Sequence, residues 1–493
     1  MRVAAVFPAG LAAVLFAMAA AFMAAVPIAA EPLRIVHANV IDGTGRPVIH
    51  DTSILIRGGR IVEVVKSAAQ EGETVIDAGG GYVLPGLMDG HTHLPTAPGG
   101  AYRKDAAAIR TCLFRRHLHG YLAAGVTGVL DNASSIGLVR RLRRYFAGGG
   151  IGPRVFYLAP FFTPPNGYFS RTGDRMETYA DLWPPVKTRE QVIAHLDKAL
   201  PLQPVGVKVV IENGFGPLPV FDVFSSKMRA VIREEAAKRG MPLFIHSMSN
   251  DAHRMALGMK PRTLVHGLFF NETADPKVIR AIKKAGVFVV STVNAFDFPQ
   301  IQWRQSTLDD PLVKLTVPAL EIATARNPRA WRQQNEALAI GHSPSWVPRF
   351  VSRLALGVFY GQNSLKKQVN SGQRDIKRLY DAGVPVVMGS DSGNWPGMIA
   401  GFHGPGSIRE MELLAAAGIP PLETIRAATQ TFARMVGQER NLGTLEAGKV
   451  ADLIVVRSSP LHDMRALRKL DWVVKDGVAR RPREWMAAAP RCR

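Results

Sequence analysis

Two histidines, His91 and His93, follow an apolar run that extends from Val83 to Met88 in the segment YVLPGLMDGHTHL. Residues two apart in an extended segment point to the same side, so both imidazoles can reach one metal ion just beyond the end of a strand. A His-x-His pair alone is often a chance occurrence, and its position after a strand-like run is what favours metal binding. The pair therefore predicts a site for a borderline divalent ion such as Zn²⁺.

Three further strand-like runs end in a residue that can bind a metal ion. His246 ends PLFIH, His266 ends TLVH, and Asp391 closes VPVVMGSD. A core histidine is the ordinary alternative for the first two residues, and a helix-capping aspartate is the alternative for the third. Two consecutive units with a histidine at the same position favour ligation, because neutral imidazoles suit Zn²⁺.

Lys208 lies within PVGVKVVIENG, on a run that is typical of a strand. The alternative to a metal-binding role is a lysine that only forms part of the strand. Glu212, four residues later, is a second candidate ligand but is less well placed for that role.

The elements that must position these residues alternate between strand-like runs and helical stretches such as MRAVIREEAAKRG. Strand, helix and strand at this spacing indicate parallel βα units, which a long chain closes most economically as a (β/α)₈ TIM-like barrel in an α/β fold. In such barrels the chemistry lies at the carboxyl ends of the strands, where the candidate residues are.

Both ends of the chain contain short β-branched runs separated by glycine turns, which predicts a small β-sandwich formed by both termini. The expected organisation is a secretory signal at 1–30, sandwich strands at 31–85, a barrel at 86–435 with an insertion at 294–370, and further sandwich strands at 436–493.

Four segments together resemble the amidohydrolase superfamily, and within it the imidazolonepropionase-like enzymes and prolidase-like metallodipeptidases. They are PGLMDGHTHL, GVTGVLDNAS from Gly125, GPR at Gly152, and LGTLEAGKVADLIVV from Leu442 to Val456. The resemblance covers nearly the whole chain after residue 30.

This resemblance implies a role for each candidate. His246 and His266 match the ligands on strands five and six, and Asp391 matches the strand-eight aspartate. Lys208 matches a lysine that is carboxylated by carbon dioxide and bridges two metal ions. The implied ligand set is His91, His93, Lys208, His246, His266 and Asp391, with Zn²⁺ as the expected ion and two ions if Lys208 is carboxylated.

The sequence departs from the family pattern at two places. The usual Gly-Ala-Asp before the lysine is replaced by residues 204–206, Pro-Val-Gly. The PPNGY segment at 164–168 occupies the region where relatives carry Gly-Gly-His. The first departure bears on whether Lys208 is carboxylated, and the second removes a family histidine.

The function implied is hydrolysis of an amide-like or peptide-like C–N bond by metal-bound hydroxide, on dipeptides or N-acyl amino acids. Asp391 is the expected catalytic residue, first as general base and then as general acid. The alternatives are a mononuclear cyclic-amide hydrolase or deaminase of imidazolonepropionase type, a lactonase, and a relative that has lost catalysis and serves in binding or structure.

Residues 1–30 have the layout of a secretory signal, with Arg2, an apolar run, and Ala29 and Ala30 before a cleavage point. An uncleaved membrane anchor is the alternative, because the run is long enough to span a bilayer. We expect a periplasmic or secreted protein whose mature part has no stable membrane insertion.

The chain carries 61 Lys and Arg against 40 Asp and Glu, a net charge of +21. The basic residues are scattered, apart from four arginines between positions 140 and 144 on one probable helix, and no nucleic-acid motif accompanies them. A solvated basic face, or loose adhesion to an anionic envelope surface, is the better interpretation. The expected partners are a small-molecule substrate and a second copy of the chain, with no nucleic acid.

Three groups of residues outside the ligand set also lead to expectations. Cys112 and Cys492 are expected to be unpaired, because a large core does not need a disulfide. The insertion is expected to cover the barrel mouth with its tryptophans, or else to be a structural helical pair. Four histidines outside the ligand set are expected on the surface or in helices: His117, His119, His253 and His403.

Overall fold

The computed structural model describes residues 31–94, 107–132, 134–168, 184–214, 220–267, 272–341, 343, 347, 348, 350, 351, 361–393 and 398–492. The predicted signal at 1–30 therefore lies outside the described residues. Within them, no helix combines the length and apolar character that crossing a membrane requires.

Strands from the two ends of the chain form one sheet with the order β16-β15-β14-β5-β1-β2-β3, and β4 pairs with β1. Backbone pairing between Arg60 and Val450 brings the β3 edge next to the segment before β14, so the sheet curls around its own apolar core. The predicted small β-sandwich of both termini is thus one curled sheet to which both ends of the chain contribute strands. Its strands are β1 Leu33–Val40, β2 Ile49–Arg57, β3 Arg60–Val65, β4 Thr74–Asp77, β5 Tyr82–Pro85, β14 Leu453–Val456, β15 Leu470–Lys475 and β16 Val478–Arg480.

The second sheet, drawn entirely from described stretches, has eight parallel strands in sequence order from β6 to β13. It closes because the Gly90 N–H donates to the carbonyl of Met388 at 2.8 Å, and the Asp391 N–H donates to the carbonyl of His91 at 2.9 Å. The (β/α)₈ prediction is confirmed. The strands are β6 Leu87–Thr92, β7 Val126–Asp131, β8 Arg154–Phe162, β9 Gly206–Val210, β10 Leu243–His246, β11 Thr263–Val265, β12 Phe288–Val290 and β13 Val386–Val387.

Helices follow the barrel strands and cover the outside of the barrel. Their local signals are clear in 276–285, where the Asp275 side chain accepts from the Lys277 N–H at the start and Gly286 ends the helix in the left-handed conformation. The helices are α1 Ala107–Ala123, α2 Ile136–Ala147, α3 Arg189–Ala199, α4 Ser226–Lys238, α5 Asn250–Leu257, α6 Pro276–Ala285, α7 Asn294–Asp297, α8 Pro311–Thr316, α9 Ala319–Ala325, α10 Pro328–Gly341, α11 Gln362–Asp381, α12 Pro405–Ala416, α13 Pro421–Ala427, α14 Gln430–Met435 and α15 Pro482–Ala487.

The described part of the insertion contains short helices, which share an apolar cluster with Ile399, Ala400 and Phe402. Trp331 is buried in that cluster, and its indole N–H donates to the carbonyl of Ala325 at 2.8 Å. Trp331 is therefore a packing residue, and coverage of the barrel mouth by the insertion stays a prediction. Trp303 is 41% exposed, and Trp346 lies outside the described residues.

The cysteines are paired, so the expectation of two unpaired residues is wrong. A disulfide joins Cys112 on α1 to Cys492, with the Cα atoms 5.6 Å apart. The pairing follows from docking of the C-terminal helix α15 on α1, where a His119 ring nitrogen is hydrogen-bonded to the carbonyl of Trp485 at 2.8 Å. A separation of 380 residues hides this contact from the sequence.

We predict that replacing Cys112 by Ser lowers the free energy of unfolding by about 2 to 4 kcal/mol, because the C-terminal segment is then no longer tethered to α1. Thermal or denaturant unfolding measures the change. The reducing agent that destabilises the wild-type protein should leave Cys112→Ser unaffected. Two titratable thiols in protein isolated from an oxidising compartment would contradict the disulfide.

Candidate metal centre

Three predicted ligands meet at the carboxyl end of the barrel. His91 Nε2, His93 Nε2 and Asp391 Oδ1 are each 3.1 Å from the other two, and all three side chains are buried. Ligand atoms that share one zinc ion at about 2.0 to 2.1 Å lie roughly 3.0 to 3.4 Å apart. The three atoms therefore fit a single divalent cation, and within the described residues they are the one group of three acidic, histidine or cysteine side chains that does so.

The backbone at this end of the barrel adopts an uncommon conformation at three consecutive strand ends. His266 after β11, Thr292 after β12 and Asp391 after β13 have φ angles of 66°, 92° and 56°. Non-glycine residues avoid this region, and such strain persists where the surrounding structure imposes it. The conformation turns each side chain at the point where its strand ends.

A buried carboxylate joins the first and last strands beside the ligands. Asp89 Oδ1 accepts hydrogen bonds from the backbone N–H groups of His91 at 3.1 Å and Ser390 at 2.9 Å. Asp89 Oδ2 accepts from the hydroxyls of Ser390 at 2.5 Å and Ser407 at 2.6 Å. Asp89 thus fixes the spacing between the segment that carries His91 and the segment that carries Asp391.

The two other predicted histidines continue the cluster across the barrel. The ring centres of His91 and His266 are 4.7 Å apart, and those of His266 and His246 are 4.5 Å apart. His266 Nδ1 is hydrogen-bonded to the Thr292 hydroxyl at 2.8 Å, so Nε2 is the nitrogen that can bind a metal ion. Glu410 in turn holds the turn at Thr292 by accepting the backbone N–H of that residue at 3.0 Å.

Burial keeps the imidazoles of His91, His246 and His266 neutral. It lowers the pKa of His91 to about 3, and it places the pKa values of His246 and His266 well below the usual value. Burial opposes ionisation of Asp391, but the adjacent His91 and His93 outweigh burial and hold its pKa well below the usual value. Neutral imidazoles and an ionised carboxylate are the forms that bind metal ions.

Lys208 lies on β9 with its side chain buried inside the barrel. Its Nζ donates to Asn132 Oδ1 at 3.3 Å, and the Asn132 amide is anchored by donating to the carbonyls of Gly90 and Leu130. Burial lowers the pKa of Lys208 to about 7, so a substantial fraction of the amine is uncharged near neutral pH. A neutral amine is the form that reacts with carbon dioxide.

Glu212 follows β9 and is also buried, beside His246. Its Oε1 accepts from the Gly214 N–H at 3.0 Å, and its Oε2 is 3.7 Å from His246 Nε2. Burial raises the pKa of Glu212 to about 8.

Four residues that shape the site escaped the sequence analysis: Asp89, Asn132, Tyr168 and Thr292. The Tyr168 ring lies 5.5 Å from the His246 ring, in the PPNGY segment that replaces the family's Gly-Gly-His. Asp89 precedes the two histidines in the same motif, and that position was its only sequence signal.

The four histidines that were expected on the surface or in helices are all buried, so a surface position for them is wrong, although three of them do lie in helices. Each of the four is hydrogen-bonded to another residue, which is distant in sequence for three of them and six positions away for His253. The hydrogen-bonded pairs are His117 with Glu321, His119 with the Trp485 carbonyl, His253 with Ser247, and His403 with Tyr121.

Comparisons with known proteins agree with this geometry. The model of the amidohydrolase family matches residues 82–479. The D-hydantoinase of Geobacillus stearothermophilus is 42% identical over 57 residues, and the imidazolonepropionase of Thermoplasma acidophilum is 48% identical over 50 residues. These segments span 12% of each relative's length, and 12% and 10% of this chain.

A solved structure of a Xaa-Pro dipeptidase with bound methionine in its active site has a TM-score of 0.68 to this chain at 22% sequence identity. The similarity covers 91% of this chain and 99% of the dipeptidase chain. At 22% sequence identity, this structural similarity is evidence for the fold alone.

We predict that Asp89→Ala weakens Zn²⁺ binding by about 10- to 100-fold, because two backbone N–H groups lose their acceptor and the ligand-bearing segments separate. Asp89→Asn should lose much less, since an amide oxygen can still accept both N–H groups. Calorimetric Zn²⁺ titration of both variants measures the difference. Wild-type affinity in Asp89→Ala would show that Asp89 does not position the ligands.

Proposed function

Since the chain belongs to the amidohydrolase family, we propose that it is an exported metal-dependent hydrolase that cleaves an amide-like C–N bond of dipeptides or N-acyl amino acids. The observation that carries this proposal is the buried group of His91, His93 and Asp391, whose ligand atoms are 3.1 Å apart. A buried carboxylate beside two buried imidazoles offers the ligand types that Zn²⁺ prefers, and this supports the proposal.

His91, His93 and Asp391 would hold one ion and His246 and His266 a second, and Lys208 would be a further ligand if it were carboxylated. A bound divalent cation polarises the scissile carbonyl and makes a water molecule acidic enough to react at neutral pH. The protein supplies the ligands in their binding form, a buried site, and a carboxylate beside the reacting atoms.

Asp391 is the residue that we propose moves the proton. Its Oδ1 faces His91 and His93, so Oδ2 is the atom expected to accept a proton from the attacking water. The same oxygen then returns that proton to the leaving nitrogen, first as a general base and then as a general acid. Asp89 and Thr292 take no part in proton transfer and act by orienting the ligands.

Export is part of the proposal, and the disulfide between Cys112 and Cys492 supports it. Disulfides persist in oxidising compartments and are rare in the cytosol. The signal-like layout of residues 1–30 agrees with a periplasmic or secreted protein.

A mononuclear cyclic-amide hydrolase or deaminase is the second candidate function. It is favoured by the finding of a single three-ligand group among the residues that the structure describes. In that case Lys208 is not carboxylated and takes no part in metal binding.

We predict that the zinc-loaded protein hydrolyses linear dipeptides or N-acyl amino acids and that chelation abolishes this activity until Zn²⁺ is restored. Asp391→Asn should lower turnover by about 10²- to 10⁴-fold, because an amide cannot accept the proton. The exposed Asp381→Asn is the matched control and should behave as wild type.

The substrates tested in this experiment also include cyclic amides and aminopurines. Ring opening or ammonia release without cleavage of any linear amide would favour the second candidate. Full activity of metal-free protein would contradict both.

A further inference from the structure

We infer that Glu212 is a ligand of the second metal ion, which it holds together with His246. This inference rests on the proposed function, since it concerns the same metal centre. It assigns to Glu212 the carboxylate role that Asp391 has for the first ion.

The position of Glu212 follows from the barrel. It lies two residues beyond the end of β9, the fourth barrel strand, and therefore at the carboxyl edge where the other ligands are found. Only 1% of its surface is exposed. A buried carboxylate at this edge needs a partner that compensates for its lost hydration.

Half of the carboxylate has such a partner. Oε1 accepts from the Gly214 N–H at 3.0 Å, which fixes the direction of the side chain. Oε2 is buried and has no hydrogen-bond partner among the residues that the structure describes. His246 Nε2 lies 3.7 Å from Glu212 Oε2.

That distance suits two ligands of one ion. Atoms at about 2.1 Å from a shared cation lie roughly 3 to 4 Å apart when the angle between them is about 90° to 125°. It is too long for a direct hydrogen bond between the two side chains. The pair is therefore spaced for an ion between Oε2 and Nε2.

Lys208 does not neutralise Glu212. Within the described part of the chain its amino group donates to Asn132 Oδ1 at 3.3 Å. Glu212 Oε2 is thus left for a cation that enters the site, and this ligand, unlike a carboxylated lysine, needs no carbon dioxide.

The test is calorimetric titration of the chelator-stripped full-length protein with Zn²⁺, in buffer that contains bicarbonate so that carboxylation of Lys208 is not limiting. We expect wild type to bind two equivalents. Glu212→Gln should keep the first equivalent and bind the second at least about 10-fold more weakly. The exposed Glu234→Gln is the matched control and should titrate as wild type.

Each other outcome has a defined meaning. Two equivalents bound by Glu212→Gln with wild-type affinity would overturn the inference, as would a single equivalent bound by wild type. Unchanged metal binding with lost activity on substrates that carry a free α-ammonium group would show that Glu212 binds substrate instead. Failure of wild type to bind any Zn²⁺ would contradict the proposed function itself.

A second measurement does not depend on the folding of a variant. Anomalous scattering at the zinc edge from crystals of the wild-type protein should show an ion within bonding distance of both Glu212 Oε2 and His246 Nε2. A second ion bound to His246 and remote from Glu212 would overturn the inference.

Discussion

The buried carboxylate of Asp89 receives hydrogen bonds from the backbone of His91 and of Ser390, and the arrangement of the ligands depends on this contact. A (β/α)₈ barrel closes where its first strand meets its last, and in this chain β13 is only two residues long. Backbone pairing alone is therefore a weak constraint at the closure. Asp89 adds side-chain bonds there and fixes the distance between two histidines and an aspartate that are about 300 residues apart.

The site is buried, so its dielectric constant is low and few charged groups surround it. These two conditions determine the protonation states of its side chains. Burial removes the proton from His91, and the same burial would destabilise an ionised Asp391 without cationic or hydrogen-bonding neighbours. A metal ion bound here would resolve this conflict, because it would neutralise the carboxylate and use the imidazole nitrogens as ligands. The left-handed backbone at His266, Thr292 and Asp391 is the strain that the fold tolerates to bring these groups together.

The barrel, and the clustering of the candidate ligands at its strand ends, were predictable from the sequence because the signals are local. An apolar strand that ends in a histidine or an aspartate can be recognised within ten residues, and the barrel fold places all such ends on one face. The family resemblance then supplied the roles of Lys208 and Asp391. Their geometry confirms a cluster at the strand ends, whereas carboxylation of Lys208 stays a prediction.

The contacts that sequence reasoning missed are long-range or depend on solvation. Cys112 meets Cys492 only because the last helix docks on the first barrel helix. His117 is buried because Glu321, in the insertion, provides a hydrogen-bonding partner. Neither pairing leaves a pattern in the local sequence, since both depend on how distant helices pack.

The most direct test of the account is the crystallographic position of the metal nearest to β6. Crystals grown from zinc-loaded protein and measured on both sides of the zinc absorption edge should show an anomalous peak within bonding distance of His91 Nε2, His93 Nε2 and Asp391 Oδ1. A protein that hydrolyses its substrate at full rate with no anomalous peak among these three atoms would contradict the account.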